Sequence, residues 1–188
     1  MNWLEKVVMQ LMIATNSSKT YSGRWADEMK NVLVARIDDR LIHGQVVTAW
    51  VKTFPITEIL IIADDLAKNM LMQRIYKSVA PHGVEVNVMD GNNALSYLRQ
   101  IGKKGEHIMI LVKTPDVFEH LVENGIPFNK IVLGGMGLSA GRQVLIRNVS
   151  ANESERESLK RLISKGIKIV YQMVPVEKEV EIEKYLSK

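Results

Sequence analysis

The 188-residue sequence contains no cysteine, which excludes disulfide bonds and thiolate metal sites and agrees with a reducing cytoplasm. Its apolar runs are shorter than the roughly 20 residues that a membrane-spanning helix needs. Its net charge is only +4, and because the basic residues are spread without interleaved aromatics, nucleic-acid binding is not favoured. No histidine pair at i and i+4 suggests a metal site, and we predict neither a metal nor an organic cofactor.

The first 29 residues differ in pattern from the rest of the chain. Apolar residues recur there on one face of a short predicted helix: Trp3, Leu4, Val7, Val8, Leu11 and Met12. Glu5 and Lys6 interrupt this stretch and argue against a signal peptide. Three interpretations of this segment stay open. It could be an extension from an upstream start, the remnant of a linker from a fused protein, or a helix that docks on the domain or on a partner. We favour an extension over residues 1–29 that carries no chemistry, followed by one domain over residues 30–188.

From Asn31 onward, short apolar runs that suit buried strands alternate with segments of helical periodicity. We predict strands at residues 31–35, 57–63, 84–89, 107–112, 130–133, 143–148 and 167–173. We also predict a single helix from Asp64 to Val79, with Leu66, Met70, Ile75 and Val79 on its apolar stripe, and a final helix at residues 177–186. Repeated βα units of this kind predict an open α/β domain, with a mostly parallel, mixed sheet of about seven strands and helices on both faces. The strand at 143–148 is expected to run antiparallel at or near an edge.

The segment Arg36–Val47 reads RIDDRLIHGQVV and follows the first predicted strand. His43 stands at a helix start beside Gly44 and Gln45, where backbone N–H groups lack partners within the helix and the helix dipole favours an anion. A neutral imidazole is a nucleophile that can carry a phosphoryl group. Arg40 and Arg36 can offer planar donor forks to phosphate oxygens. The loop is therefore a candidate phosphoryl site.

A carboxylate that accepts one ring N–H would fix the tautomer of His43 and leave the other nitrogen free to attack. Asp38 and Asp39 are both candidates, and Asp38 is favoured because alternation beyond the strand places it on the side of Arg36 and Arg40. The ordinary alternative is a loop histidine among solvated ion pairs, which contribute little. The clustering of these charges at the end of a strand argues against it.

Further residues end strands at the same edge of the predicted sheet, where ligands of open α/β proteins bind. The candidates for phosphate binding are Lys113, Thr114, Gly134 and Gly135. The ordinary interpretation of Lys113 and Thr114 is that they end a strand and cap a helix. The ordinary interpretation of the two glycines is that they form a turn. The other histidines lack a charged cluster and are predicted to be structural: His82, His107 and His120.

Residues 36–46 resemble the active-site signature of the enzyme IIB components of the mannose/fructose/sorbose family of the bacterial phosphotransferase system. Residues 113–115 and 133–136 resemble later loops of the same family less distinctively. The resemblance implies that His43 receives a phosphoryl group on Nδ1 from enzyme IIA and passes it to a sugar imported through the membrane components IIC and IID.

This resemblance implies a sugar phosphotransferase in the cytoplasm, peripherally associated with the membrane permease. The resemblance leaves two points open. The sugar could be of the mannose, fructose, sorbose or N-acetylgalactosamine type, and the chain could form a homodimer. The residues themselves also allow a non-enzymatic binding module for a small phosphorylated ligand. A third alternative, a hydrolase that uses Asp38 or Asp39, is weakened by the lack of a set of metal ligands.

Overall fold

The computed structural model describes residues 29–139 and 141–186, so the predictions for residues 1–28 lie outside the described residues. The elements follow in the order β1 (Val32–Asp38), α1 (Gly44–Thr53), β2 (Glu58–Ile62), α2 (Asp64–Ala67), α3 (Met70–Ser78), β3 (Glu85–Met89), α4 (Gly91–Leu98), β4 (Ile108–Val112), α5 (Pro115–Glu123), β5 (Lys130–Gly135), β6 (Gln143–Ile146), β7 (Val149–Ala151), α6 (Glu153–Ser164), β8 (Lys168–Tyr171), β9 (Val180–Glu181) and α7 (Glu183–Leu186).

The main sheet has seven strands in the order β3-β2-β4-β1-β5-β8-β9. Its neighbouring strands are parallel except for the last pair, β8 and β9, which is antiparallel. This arrangement confirms the predicted open, mostly parallel and mixed sheet.

Each face of the sheet is covered by helices. On β2, Leu60 and Ile62 belong to the apolar cluster that contains residues of α4, α5 and α6. Ile59 and Ile61 point the other way, into the cluster that contains residues of α1 and α2. Because side chains alternate along a strand, burial on both faces produces the continuous apolar runs seen in the sequence.

The single helix predicted from Asp64 to Val79 is wrong, since the chain forms two helices, α2 and α3. The side chain of Asn69 accepts a hydrogen bond from the backbone N–H of Met72 at 3.1 Å and so begins a new helix. The break changes which residues face the sheet. Leu66 is buried as predicted, but Met70, Ile75 and Val79 of the predicted stripe are 70%, 43% and 52% exposed.

Two further predictions for the C-terminal third were only partly correct. The segment Gln143–Ile146 runs antiparallel as predicted, but it pairs with Val149–Ala151 in a separate two-stranded sheet and does not lie at an edge of the main sheet. The antiparallel edge strand is instead β9, which replaces the first part of the helix predicted at residues 177–186, while Glu183–Leu186 is helical as predicted. In this stretch Ile182 is buried, while Glu181 pairs with Lys168 of β8 at 3.2 Å. This alternation of apolar and charged residues is the period of a strand.

The central strand β1 lies between β4 and β5, and Asp38 at its end pairs with Gly135 of β5. The helices that lie between β1 and β2 and between β5 and β8, α1 and α6, pack on opposite faces of the sheet. Neighbouring strands whose connections diverge in this way leave a crevice at the carboxyl edge of the sheet, where ligands of open α/β folds bind. The segment Arg36–Val47 lies at this crevice.

Candidate active site

Arg36 is buried beneath the loop that carries His43. Its guanidinium donates through Nη1 to the carbonyl oxygen of Gln172 and through Nη2 to Oδ2 of Asp38, both at 2.9 Å. Burial lowers the pKa of Arg36 below its ordinary value, although the carboxylate of Asp38 opposes this shift. An arginine nevertheless keeps its charge in proteins. The prediction that Arg36 offers its donor fork to phosphate oxygens gains no support from these contacts, since the side chain is only 1% exposed.

Asp38 joins the two arginines of the motif. Its fully buried carboxylate also accepts from Arg40, through Nε to Oδ1 at 3.1 Å and through Nη2 to Oδ2 at 3.2 Å. Such a two-point contact fixes the plane of the guanidinium as well as its position. Because 47% of the Arg40 side chain stays exposed, Arg40 is placed to meet an anion from solution. The prediction that Asp38 shares a side with both arginines is confirmed.

The ring of His43 is held in one orientation. Its Nδ1 lies 2.9 Å from the carbonyl oxygen of Leu41, and since a carbonyl can only accept, this nitrogen carries a proton. The other nitrogen, Nε2, is buried, has no hydrogen-bond partner among the described residues, and lies 3.9 Å from Oδ2 of Asp38. Asp38 is thus the motif carboxylate that faces the imidazole, whereas Asp39 points to Gly137.

A tight turn brings His43 from the end of β1 to the start of α1. The backbone N–H of Leu41 donates to the carbonyl oxygen of Asp38 at 2.9 Å, and buried Leu41 takes a φ of +56°. His43 is the N-cap of α1 in an extended conformation, as the sequence predicted, and Gly44 is the first helical residue with a φ of +39°. The first N–H groups of the helix have no partner within it. The Gln45 side chain lies outside the described part of the structure.

The two glycines that end β5 make room for the arginines. A Cβ on Gly134 would lie 2.0 Å from Nη2 of Arg36, and one on Gly135 would lie 3.0 Å from Nη2 of Arg40. Both glycines are buried, so their observed contacts are with arginine side chains rather than with an open phosphate site. Their predicted role in binding phosphate gains no support from these contacts.

Lys113 and Thr114 lie at the same edge of the sheet but are oriented elsewhere. Nζ of Lys113 pairs with Oδ2 of Asp65 at 2.7 Å, toward β2 and away from β1. Thr114 is the N-cap of α5, and within residues 29–139 and 141–186 its hydroxyl makes no capping bond. The structure therefore brings neither residue into contact with the His43 cluster.

Sequence reasoning missed several residues that support the site. Nε1 of Trp50 donates to the carbonyl oxygen of Met173 at 3.1 Å, and Nη2 of Arg40 lies 3.8 Å from Sδ of Met173. The side-chain amide of Asn148 donates to the carbonyl oxygen of Gly134 at 3.2 Å. Gln172 and Met173 are the last two residues of the strand predicted at residues 167–173, so the rule that the ends of parallel strands meet at one edge could have found them. Asn148 carries no such signal.

Comparison with known proteins decides the family. A family profile described as the PTS system sorbose subfamily IIB component matches residues 32–188. The chain belongs to this family. The resemblance of residues 36–46 is thereby confirmed, and this IIB chain is a member of the phosphotransferase system.

Relatives of this IIB chain differ in length and in the sugar that they are named for. The mannose-specific EIIAB component of Escherichia coli strain K12 is 32% identical over 155 residues, which cover 82% of this chain and 48% of that protein. The chain thus spans about half the length of that relative. The fructose-specific EIIB component of Bacillus subtilis strain 168 is 30% identical over 147 residues, which cover 78% of this chain and 90% of that protein.

Solved structures of similar proteins share the fold. The IIBSor domain of the sorbose permease from Klebsiella pneumoniae superposes with a TM-score of 0.79 at 28% identity, covering 84% of this chain and 96% of that one. The manxB protein of Thermoanaerobacter tengcongensis superposes with a TM-score of 0.78 at 34% identity, covering 86% of this chain and 98% of that one. In the described part of this IIB chain, no helix has both the length and the apolar content needed to cross a bilayer.

Proposed function

We propose that this IIB chain is a phosphohistidine carrier, in which His43 accepts a phosphoryl group from enzyme IIA and transfers it to a sugar that enters through the components IIC and IID. The proposal rests on one observation above all. His43 stands at the N-terminus of α1 with its ring directed at the Arg36–Asp38–Arg40 cluster, and Arg40 is the motif arginine that solvent reaches. Family membership supports the same role.

The first step is an in-line displacement at phosphorus. A lone pair of the His43 ring forms the new N–P bond while the N–P bond of the donor phosphohistidine breaks, and the donor ring regains its electron pair. Arg40 and the open N–H groups of α1 would stabilise the charge of the transferred group. In the second step a sugar hydroxyl oxygen forms the new O–P bond and gives up its proton to solvent. The N–P bond breaks, its electron pair returns to the His43 nitrogen, and the ring leaves as a neutral imidazole with its proton on the other nitrogen.

The attacking nitrogen must be unprotonated. Attack through Nδ1, which the family resemblance implies, requires the bond from Nδ1 to Leu41 to break and the proton to reside on Nε2. A small rotation of the ring would bring Nε2–H from 3.9 Å to hydrogen-bond distance of Oδ2 of Asp38. Asp38 would then orient the reactive tautomer, and Arg36, which binds Asp38 from below, would act by positioning it.

We further propose that residues 30–188 form the functional unit and that it works at the cytoplasmic side of the membrane permease. Named relatives are specific for mannose, fructose, sorbose and N-acetylgalactosamine. The proposed acceptor is accordingly a hexose or an N-acetylated amino sugar.

Phosphotransfer to the purified chain tests the proposal. The general carriers of the system, phosphoenolpyruvate and each candidate enzyme IIA are supplied, and the phosphorylated protein is digested under alkaline conditions. The expected label is acid-labile and base-stable, and it lies between Arg40 and Lys52. Base-labile label on an aspartate would instead indicate a hydrolase. Saturable binding of a phosphorylated ligand without any label would indicate a binding module.

A further inference from the structure

The side chain of Arg142 joins the loop that carries His43 to helix α6. Its Nη1 donates to Oδ2 of Asp39 at 3.2 Å and to the carbonyl oxygen of Gly137 at 3.0 Å. Its Nε donates to Glu155 at 3.1 and 3.0 Å, and its Nη2 donates to Oε1 of Glu155 at 2.6 Å. Since the side chain is only 10% exposed, this is a mostly buried bridge between two carboxylates.

The Glu155 end of the bridge is fixed. Oε2 of Glu155 accepts the backbone N–H of Asn152 at 2.9 Å, and Oδ1 of Asn152 accepts the backbone N–H of Glu155 at 2.9 Å. This reciprocal capping box begins α6. The hydrogen bonds of Glu155 to both Asn152 and Arg142 leave it little freedom to move, so the guanidinium of Arg142 is anchored on the body of the domain.

The Asp39 end of the bridge lies inside the phosphoryl-site motif. Oδ2 of Asp39 accepts the backbone N–H of Gly137 at 2.7 Å, and its own N–H donates to the carbonyl oxygen of Gly135 at 3.0 Å. Asp39 stands between Asp38 and Arg40, whose side chains form the cluster that His43 faces. The position of the Asp39 backbone therefore sets the direction from which those two neighbours reach His43.

We propose that Arg142 is a positioning residue for phosphoryl acceptance, acting through Asp39 on the geometry of Asp38, Arg40 and His43. This inference rests on the proposed function. Arg142 touches no reacting atom. It fixes one end of the loop whose other end is His43, and a misplacement of about 1 Å can cost on the order of a hundredfold in rate.

Arginine suits this bridge for a geometric reason. Its planar fork presents separate N–H groups to Asp39 on one edge and to Glu155 on the other, while lysine offers one compact ammonium. Arg142→Lys should therefore keep a contact with one carboxylate and lose the second. Arg142→Met should lose both contacts while keeping much of the apolar stem.

The test compares Arg142→Met and Arg142→Lys with Arg161→Met. Arg161 is a residue of α6 itself and also forms an ion pair with a glutamate, but its partner is Glu119 of α5, away from the His43 loop, so it serves as the control. For Arg142→Met we expect the transfer rate at saturating enzyme IIA to fall on the order of tenfold or more, with the half-saturating donor concentration changed less than about twofold. Arg142→Lys should give an intermediate rate, and Arg161→Met the wild-type rate.

A double variant separates positioning from general stability. If Arg142 acts through Asp39, the rate of Arg142→Met combined with Asp39→Asn should be no lower than that of the slower single variant, because coupled residues are not additive. Independent, multiplying losses would overturn the inference. A wild-type rate for Arg142→Met would overturn it as well. If Arg142→Met does not fold, a wild-type rate for Arg142→Lys has the same consequence.

Nitrogen-15 NMR of the unphosphorylated protein makes the test independent of phosphotransfer. In Arg142→Lys the ring-nitrogen signals of His43 should shift, while those of His82 and His107 stay in place. Unchanged His43 signals would count against the positioning role. Should the wild-type chain accept no phosphate, the proposed function would fail, but this shift would still show that Arg142 positions the loop.

Discussion

Nδ1 of His43 is bonded to the carbonyl oxygen of Leu41 at 2.9 Å, so the nitrogen that family resemblance assigns to phosphorylation is the protonated one in this structure. We predict that nitrogen-15 NMR of the unphosphorylated protein will show His43 as the Nδ1–H tautomer. After phosphotransfer the proton should reside on Nε2 and the phosphorus on Nδ1. If phosphorus is found on Nε2 instead, the buried nitrogen attacks the phosphoryl group while Nδ1 keeps its hydrogen bond to the Leu41 carbonyl oxygen.

Replacement of His43 by glutamine should abolish phosphate acceptance. The ring contributes one bond to Leu41, so the free energy of unfolding should change by no more than about 1 kcal/mol. Chemical denaturation measures this stability, and radiolabelled transfer from enzyme IIA measures acceptance. Single replacements of His82, His107 and His120 are the controls and should accept phosphate when folded. Full acceptance by His43→Gln would place the phosphoryl group elsewhere.

Replacement of Arg40 should slow transfer even when the charge is kept. Arg40 contacts both oxygens of Asp38 with two nitrogens, and a lysine ammonium cannot reproduce this fork. Arg40→Lys should transfer on the order of tenfold more slowly than wild type, and Arg40→Ala on the order of a hundredfold more slowly. Stopped-flow or quench-flow transfer from phosphorylated enzyme IIA measures both. Equal rates in all three proteins would show that Arg40 takes no part in transfer.

Gly134→Ala should destabilise the domain. The new Cβ would lie 2.0 Å from Nη2 and 2.1 Å from Cζ of the buried Arg36 guanidinium, which is held by Asp38 and Gln172 and cannot move freely. Overpacking of this kind costs about 1–3 kcal/mol of unfolding free energy, measured by urea denaturation. Gly137→Ala is the matched control, because its Cβ would meet only Oδ2 of Asp39 at 3.5 Å. Equal stability of the two variants would contradict the assigned packing.

Removal of residues 1–28 should leave folding and phosphate acceptance intact. The first strand, β1, begins at Val32, and within residues 29–139 and 141–186 the hydrogen bonds of the His43 cluster join residues from Arg36 onward. Circular dichroism and phosphotransfer from enzyme IIA compare the shortened and full chains. A shortened protein that folds but accepts no phosphate would show that the N-terminal segment belongs to the working unit.

Local signals in the sequence were sufficient for much of the fold. The N-caps Asp90 and Asn152 each accept a backbone N–H of the helix that they begin, which is a local signal of these residue types, and buried parallel strands appear as apolar runs. The motif predicted His43 at a helix start and Asp38 beside the arginines. These features depend on neighbours that are close in sequence, which is why a pattern can predict them.

Features that depend on distant partners could not be predicted in this way. Arg36 was predicted as a phosphate ligand, and its burial could not be predicted from neighbouring residues. That burial depends on the distant Gln172 carbonyl and on the absence of a side chain at Gly134. The bridge from Arg142 to Asp39 joins residues 103 positions apart. The stretch around β9 was predicted as helix because its charges have distant partners that local pattern does not show. Glu179 pairs with Lys130 of β5, and Glu181 of β9 pairs with Lys168 of β8.

The bond from Arg36 to the carbonyl oxygen of Gln172 spans 136 positions of the chain and has a consequence for synthesis on the ribosome. A nascent chain that ends before β8 contains His43 and its whole motif, yet it lacks the carbonyl that holds Arg36 under Asp38. The packing of Arg36 beneath Asp38 is therefore completed only when nearly all of the domain has been made. Under the proposed function, chains that end before Gln172 would be poor phosphate acceptors and would take little phosphate from enzyme IIA.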